Sequence, residues 1–271
     1  METISVDQYS LITGASSGIG RALAIECASR KMNVLLVSLP ECGLANFSEE
    51  LKQTYQVKTS FLEIDLTESA GPSEVFEWVE KKGFKINMLI NNAGIGSLGD
   101  FSSHSLEKID YMIHLNIRAV LLLTSSFIPL LKNASKGYIL NVGSILSYAP
   151  VPYKSMYGSS KAFIYIFSLA LKEELRKTGI SVSVLTPGPS PTNAEVKSRI
   201  ESGGFFAKKS ILSPDKIARI GLDGLLKCKA SILPGVLNKM MAYTRFIIPT
   251  KLSLRILGYA FRKNNKRNGA I

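Results

Sequence analysis

Short apolar segments alternate with amphipathic helical segments along most of the chain, and this alternation constrains the fold more than any other feature. Strands are predicted at 9–13, 33–38, 58–63, 88–91, 137–142, 181–186 and 230–233, and helices at 18–31, 44–55, 72–83, 105–132, 153–178 and 214–228. Such an order is typical of parallel strands joined by crossover helices. The sequence therefore predicts an α/β fold with a doubly wound, seven-stranded parallel sheet in three α/β/α layers.

The composition is that of one large globular domain. The 271 residues are 46% hydrophobic and 20% charged, which is enough to bury a sizeable core. No basic and apolar leader precedes the first strand, so we expect no secretory signal. Cys27, Cys42 and Cys228 have neither disulfide nor metal-ligand spacing, which predicts reduced thiols, a cytoplasmic location and no metal site.

The positive charge is concentrated at the C-terminal end. Residues 224–271 contain ten lysines and arginines and no acid, so they supply ten of the twelve net charges and leave +2 for residues 1–223. We therefore divide the chain into a catalytic and nucleotide-binding part, 1–233, and a basic helical extension of the same domain, 234–271. No nucleic-acid motif accompanies the charge, so no nucleic-acid partner is predicted.

The extension permits three interpretations. Leu252, Ile256 and Tyr259 are apolar at helical spacing, while Lys251 and Arg255 lie on a different face. Such a helix could rest on an anionic membrane surface as a peripheral contact. It could equally pack on the domain with a solvated basic face, or close over a lipophilic substrate together with the segment 189–212.

A glycine-rich turn follows the first strand and leads directly into a helix. Its spacing allows the backbone to approach a pyrophosphate at the helix N-terminus. The predicted cofactor-binding residues in this turn are Thr13, Gly14, Ser16, Ser17, Gly18, Ile19 and Gly20.

Tyr157 and Lys161 stand four residues apart at the start of a predicted helix and therefore share one face. A neighbouring ammonium favours the phenolate and would bring a tyrosine closer to the range of a working acid or base. Ser144, at the end of the fifth strand, could donate a hydrogen bond to a substrate oxygen. Each of these residues alone would more simply be a surface or loop residue.

Taken in order, the motifs make the sequence similar to the short-chain dehydrogenase/reductase family over residues 8–233. They are Thr-Gly-x-x-x-Gly-x-Gly at 13–20, Asn-Asn-Ala-Gly at 91–94, Asn116, Ser144, Tyr-x-x-x-Lys at 157–161 and Pro-Gly at 187–188. The resemblance implies a Rossmann-type fold and hydride transfer between NAD(P)(H) and a carbonyl or alcohol substrate. It also implies a homodimer or homotetramer formed through the helices at 105–132 and 153–178.

The resemblance assigns a role to each member of a tetrad. Tyr157 would protonate the carbonyl oxygen, Ser144 would polarise it, and Lys161 would bind the nicotinamide ribose and tune Tyr157. Asn116 would hold a water in a proton relay. The residues expected to frame the cofactor, besides Tyr157 and Lys161, are Asn92, Ala93, Gly94, Pro187, Gly188 and Thr192.

Cofactor specificity rests on the end of the second strand. The sequence there carries Ser38, neither the acid typical of NAD enzymes nor the arginine typical of NADP enzymes. Without the acid, nothing repels a 2′-phosphate, so NADP(H) is preferred over NAD(H). Asp65 and Leu66 match an adenine contact of the family, although Asp65 could instead be a capping acid.

These observations favour an NADPH-dependent ketoreductase acting on a lipophilic ketone. The alternative is a catalytically silent protein that binds the cofactor as a regulator or docks on a membrane surface, since a fold does not by itself imply turnover.

Overall fold

A computed structural model describes residues 7–191, 211–244 and 248–267. Seven parallel strands form one sheet, as predicted, and the structure places them in the order β3-β2-β1-β4-β5-β6-β7. The strands are β1 Gln8–Thr13, β2 Asn33–Ser38, β3 Thr59–Glu63, β4 Lys85–Asn91, β5 Gly137–Val142, β6 Ile180–Leu185 and β7 Ser231–Ile232. The doubly wound Rossmann-type fold is thereby confirmed.

Helices cover both faces of the sheet. Their bounds are α1 Gly18–Ser29, α2 Leu44–Tyr55, α3 Gly71–Lys82, α4 Leu106–Ile113, α5 Ala119–Lys132, α6 Ser155–Glu174, α7 Pro214–Leu226, α8 Val236–Thr244 and α9 Thr250–Arg267. Side chains of α1, α2 and α7 pack on one face, and those of α3, α5 and α6 pack on the other. Neighbouring residues of β1 divide between the two cores, Ile12 in the first and Leu11 in the second, because side chains alternate along a strand.

The helix predicted at 105–132 is not regular. A π-helical turn at His114–Arg118 separates α4 from α5, and the Asn116 side chain in this turn is fully buried. A π turn inserts one residue into the helical repeat and so changes which side chain faces inward. Sequence periodicity does not reveal such an insertion, because the apolar pattern resumes on the other side of it.

The stretch Leu106–Lys132 is also long and apolar enough to cross a membrane by length and composition. Its inward side chains, however, belong to the core: Leu115, Leu123, Phe127 and Leu131 are buried against the sheet and α3. We therefore interpret it as a core-facing helix.

A row of buried polar side chains crosses the middle of the sheet. Asn91 Nδ2 of β4 donates to Thr124 Oγ1 of α5 at 3.0 Å and to Asn141 Oδ1 of β5 at 2.9 Å. Asn141 Nδ2 in turn donates to Ser168 Oγ of α6 at 2.9 Å. A buried amide without partners is costly, so these bonds fix how α5 and α6 sit on β4 and β5. No motif in the sequence indicates this row of side chains.

Candidate active site

Tyr157 lies in the first turn of α6, and Lys161 lies one turn further along. Burial raises the pKa of the Tyr157 hydroxyl, and a hydrogen bond with Ser144 partly counters that rise. Burial also lowers the pKa of Lys161 to about 8. The expectation that the ammonium would lower the tyrosine pKa therefore needs correction. Lys161 is buried and Tyr157 is half-buried, and removal from water disfavours the charged form of each group.

The Lys161 ammonium points at the end of β5. Its Nζ donates to the Val142 carbonyl oxygen at 2.8 Å. A Cβ built on Gly94 would lie 3.1 Å from this Nζ and 3.0 Å from Asn116 Oδ1. The backbone after β4 therefore fits closely between Asn116 and Lys161, which explains the need for glycine at 94.

Asn116 clamps the loop after β4. Its Oδ1 accepts from the Ile95 amide at 2.9 Å, and its Nδ2 donates to the Ile95 carbonyl at 2.9 Å. Nδ2 also donates to Ser160 Oγ at 3.1 Å. Because protein groups occupy both polar atoms of this side chain, its observed role is to hold Ile95. The proposed water relay stays a prediction.

Ser144 caps the 3₁₀ turn that follows β5. Its Oγ accepts from the Leu146 amide at 3.2 Å, which leaves the hydroxyl proton free to be donated towards Tyr157 or a substrate oxygen. Ser147 completes this capping box, and its Oγ donates to the Lys161 carbonyl at 2.8 Å. No motif in the sequence singles out Ser147, because the usual capping box carries Glu or Gln at this position.

The glycine-rich turn has the shape of a phosphate cradle. Gly14 and Gly18 have φ values of +63° and +55°, in the left-handed region. A Cβ on Gly20 would collide with the Gly14 carbonyl oxygen and the Asn92 side chain. α1 begins at Gly18, and the Ser17 side chain caps none of its amides. These amides are therefore available to an anion, and the site fits a nucleotide pyrophosphate.

Thr13 stabilises the glycine-rich turn through hydrogen bonds to the loop after β4. It is buried, and its Oγ1 accepts from the Asn92 and Ala93 amides at 3.0 Å each. Asn92 Nδ2 donates back to the Thr13 carbonyl at 2.9 Å and to the Gly14 carbonyl at 3.2 Å. The side chains of Thr13 and Asn92, both predicted to bind the cofactor, therefore connect the loops after β1 and β4. Ile19 packs partly buried against the core behind the turn.

At the end of β2, the Ser16 and Ser38 hydroxyls are hydrogen-bonded to each other at 2.7 Å. This pair joins the glycine-rich turn to the end of the strand on which cofactor specificity was predicted to depend.

Asp65 Oδ1 accepts from the Thr67 amide and the Thr67 hydroxyl at 2.8 Å each, so Asp65 does cap a turn. Leu66 beside it is buried. Their contact with adenine stays a prediction.

Pro187 and Gly188 follow β6 close to Ser144, since the Pro187 carbonyl accepts from the amide of the next residue, Ile145, at 2.9 Å. Thr192 and most of the segment 189–212 lie outside the described residues. Within the ranges that the structure describes, no group of three His, Cys, Asp or Glu side chains could hold a metal ion, and the three cysteines are free.

A cavity of about 460 Å³ lies beside the start of α6. Its walls come from the loop after β4, the turn before α6 and one face of α9, with lining residues Gly99, Asp100, Phe101, Pro152, Tyr153, Ser155, Leu254, Arg255, Gly258 and Tyr259. The extension thus forms one wall of this cavity, and another lining residue, Ser155, lies two positions before Tyr157 in the chain.

The model of the short chain dehydrogenase family matches residues 8–202. The chain is 34% identical over 187 residues to human 17-beta-hydroxysteroid dehydrogenase type 3, covering 68% of this chain and 59% of that enzyme. It is 31% identical over 267 residues to the very-long-chain 3-oxoacyl-CoA reductase of the duck Anas platyrhynchos, covering 96% of this chain and 80% of that protein.

Among solved structures, it resembles a short-chain dehydrogenase from Sphingobium yanoikuyae in complex with NADPH. The TM-score is 0.75 at 30% identity, and the match covers 84% of this chain and 88% of the other. The chain therefore belongs to the short-chain dehydrogenase/reductase family, whose members are nicotinamide-dependent oxidoreductases.

The lowered pKa of Lys161 predicts how stability depends on pH. Between pH 8 and 10.5 the unfolded chain binds a proton at this lysine that the folded protein does not. The free energy of unfolding should therefore rise over this interval, by at most roughly 3 kcal/mol. In Lys161→Met this rise should be missing, whereas Lys227→Met, which removes an exposed ammonium, should keep it. Urea unfolding at pH 7, 8, 9 and 10 measures the difference. If the free energy of unfolding changed with pH in the same way in the wild type and in Lys161→Met, the prediction would be contradicted.

Proposed function

We propose that the protein is an NADPH-dependent ketoreductase that reduces the carbonyl group of a lipophilic substrate. The observation that carries this proposal is the placement of half-buried Tyr157 beside buried Lys161 and Ser144, in front of a glycine-rich turn that fits a dinucleotide. A silent regulator would have no need of this arrangement, because cofactor binding alone does not require a proton donor beside a buried amine.

The reaction divides between the cofactor and the chain. The nicotinamide, when bound, supplies the hydride. Ser144 holds the substrate oxygen by donating its hydroxyl proton in a hydrogen bond, and Tyr157 transfers its proton to that oxygen as negative charge develops. Lys161, whose pKa is about 8, can carry a proton at neutral pH and return it to the tyrosine. The raised pKa of Tyr157 keeps its hydroxyl protonated at neutral pH, so the tyrosine can act as the proton donor in the reduction.

The preference for NADPH is supported by the end of β2. The residues from Val37 to Pro40 contain no acid that would repel a 2′-phosphate, and the Ser16–Ser38 pair offers hydroxyl groups to it. The similar enzyme from Sphingobium yanoikuyae was solved with NADPH, which agrees with this preference. We further propose that the cofactor is bound by the residues that the family resemblance assigns to it.

The lipophilic substrate is supported by the cavity beside α6. Phe101, Pro152, Leu254 and Tyr259 give it apolar walls, and an apolar wall favours an apolar ligand by the area removed from water. Relatives carry the names of a hydroxysteroid dehydrogenase and a very-long-chain 3-oxoacyl-CoA reductase. Both names denote substrates with large apolar parts, and we propose the same class here.

Titration with NADPH and NADH, followed by nicotinamide fluorescence and then by a ketone panel from short-chain to steroid, tests this function. We expect tighter binding of NADPH and faster oxidation of NADPH with the larger apolar ketones. Tyr157→Phe, which keeps the ring and removes the proton donor, should lower kcat by about 10² or more with NADPH binding retained. Binding of neither cofactor, or unchanged turnover in Tyr157→Phe, would refute the proposal.

A second proposal concerns location: a cytoplasmic enzyme that touches an anionic membrane through its extension. Large apolar side chains of α8 and α9 are exposed, namely Val236, Met240, Met241, Tyr243, Leu252, Ile256 and Tyr259. Lys239, Lys251 and Arg255 are exposed among them, and no acid lies on either helix. Exposed apolar side chains beside uncompensated positive charge complement a bilayer with anionic headgroups.

Flotation with vesicles containing phosphatidylserine should recover the wild-type protein, and recovery should fall as salt is raised. Replacing Leu252 and Ile256 together by Asp should weaken binding by about tenfold or more, because two insertable side chains are lost. Phe61→Asp, which places the same charge on an exposed side chain of β3, serves as the control and should bind normally. Equal binding by the double variant would exclude this surface.

We also propose that copies of the chain associate through α4, α5 and α6. Leu106, Ile113, Leu122, Phe163 and Ile166 are exposed there, and association would remove this apolar area from water. Sedimentation should show a dimer or tetramer, and Ile166→Asp should shift the distribution towards the monomer. A wild-type monomer at all accessible concentrations would contradict this proposal.

A further inference from the structure

Gly188 has no free space above its Cα. A Cβ built at this position would lie 2.5 Å from Asn238 Nδ2, 2.6 Å from Oδ1 and 2.7 Å from Cγ. Real Cβ contacts are essentially never shorter than 3.0 Å. The amide group of Asn238 therefore rests directly on the Gly188 backbone.

Asn238 is itself held firmly. It lies in the first turn of α8, its side chain is 1% exposed, and its Nδ2 donates to the Pro234 carbonyl at 2.9 Å. Gly235 before it has φ +91° and lies against the same amide, since a Cβ there would be 3.0 Å from Nδ2. The turn between β7 and α8 thus fixes the side chain that covers Gly188.

A short chain of contacts leads from Asn238 to the reacting groups. Gly188 follows Pro187, whose carbonyl accepts from the Ile145 amide at 2.9 Å. Ile145 follows Ser144, which is hydrogen-bonded to Tyr157. A displacement of Gly188 would therefore change both the proposed cofactor loop and the turn that carries the catalytic serine.

We propose that Asn238 is a positioning residue for the nicotinamide end of the cofactor site. By occupying the space over Gly188, it holds the Pro187–Gly188 segment in the position in which that segment meets the cofactor. The extension is on this view part of the cofactor site through α8. The inference rests on the proposed function, because that proposal is what assigns Pro187 and Gly188 to the cofactor.

The first test is Asn238→Ala, which opens a gap over Gly188. Because the segment then loses its support, we expect the Kd for NADPH to rise roughly tenfold, equivalent to about 1.4 kcal/mol. The KM for the ketone at saturating NADPH should rise by a smaller factor, because Ser144 is reached only indirectly, through Pro187 and Ile145. Asn33→Ala is the matched control: Asn33 is also buried and bonded to backbone, through Gln8 O and Lys58 N, but lies at the opposite end of the strands.

The second test uses the steric conflict itself. Gly188→Ala alone should weaken NADPH binding more than Asn238→Ala, because the new methyl group meets the amide of Asn238. The double variant Gly188→Ala/Asn238→Ala removes that amide and should bind NADPH more tightly than Gly188→Ala. This recovery of NADPH affinity is expected only if residues 188 and 238 are in direct contact. If both substitutions merely lowered stability, the double variant would bind NADPH less tightly than Gly188→Ala.

The outcomes separate the inference from the proposed function. Thermal unfolding first identifies the variants that fold. The proposed function stands if the wild type binds NADPH and Tyr157→Phe abolishes turnover. The inference about Asn238 is wrong if, at the same time, Asn238→Ala binds NADPH as tightly as Asn33→Ala. Absence of recovery in a folded double variant also overturns it. If Gly188→Ala does not fold, the comparison of Asn238→Ala with Asn33→Ala decides. Binding of neither nicotinamide cofactor by the wild type would overturn both.

Discussion

The parallel pairing of β1 with β4 determines where the remaining parts of the site can lie. The strand order reverses at this pair, so the loops leaving the two strands diverge and open a crevice between them. Thr13 and Asn92 hold the edges of the crevice together through four hydrogen bonds between the loops. The phosphate cradle of α1 and the loop that meets Asn116 and Lys161 are therefore built on one rigid junction.

Loss of hydration governs the pKa values of the proposed catalytic pair. Considered as two residues on a helix, Tyr157 and Lys161 predict that the ammonium lowers the tyrosine pKa. In the folded protein Lys161 is buried and Tyr157 is half-buried, so the tyrosine pKa rises and the lysine pKa falls to about 8. Removal from water is the largest cause of both shifts, because it disfavours the charged form of each group. The resulting site holds a protonated phenol next to an amine that exchanges its proton near neutral pH.

The C-terminal extension touches the domain at two places with different consequences. α8 meets the end of β6 through Asn238 over Gly188, and α9 meets the turn before the catalytic helix, where Gly258 approaches Pro152. A segment whose composition resembles a surface attachment therefore borders both the proposed cofactor site and the cavity proposed for the substrate. Two of its exposed side chains, Arg255 and Tyr259, line that same cavity, so a membrane contact through α9 would lie next to the space proposed for a lipophilic substrate.

The sequence by itself determined the fold class and the seven strands, because hydrophobic periodicity is a local property that survives without a structure. The family motifs also named the four residues of the tetrad, whose catalytic roles stay predictions. Tertiary structure alone decided the π turn that buries Asn116, the bracing role of Thr13 and Asn92, the direction of the Tyr157 pKa and the contact of Asn238 with Gly188. Each of these depends on groups between 21 and 80 residues apart, or on burial that many elements create together. Such distances are set by how the helices pack on the sheet, and no local pattern in the chain encodes them.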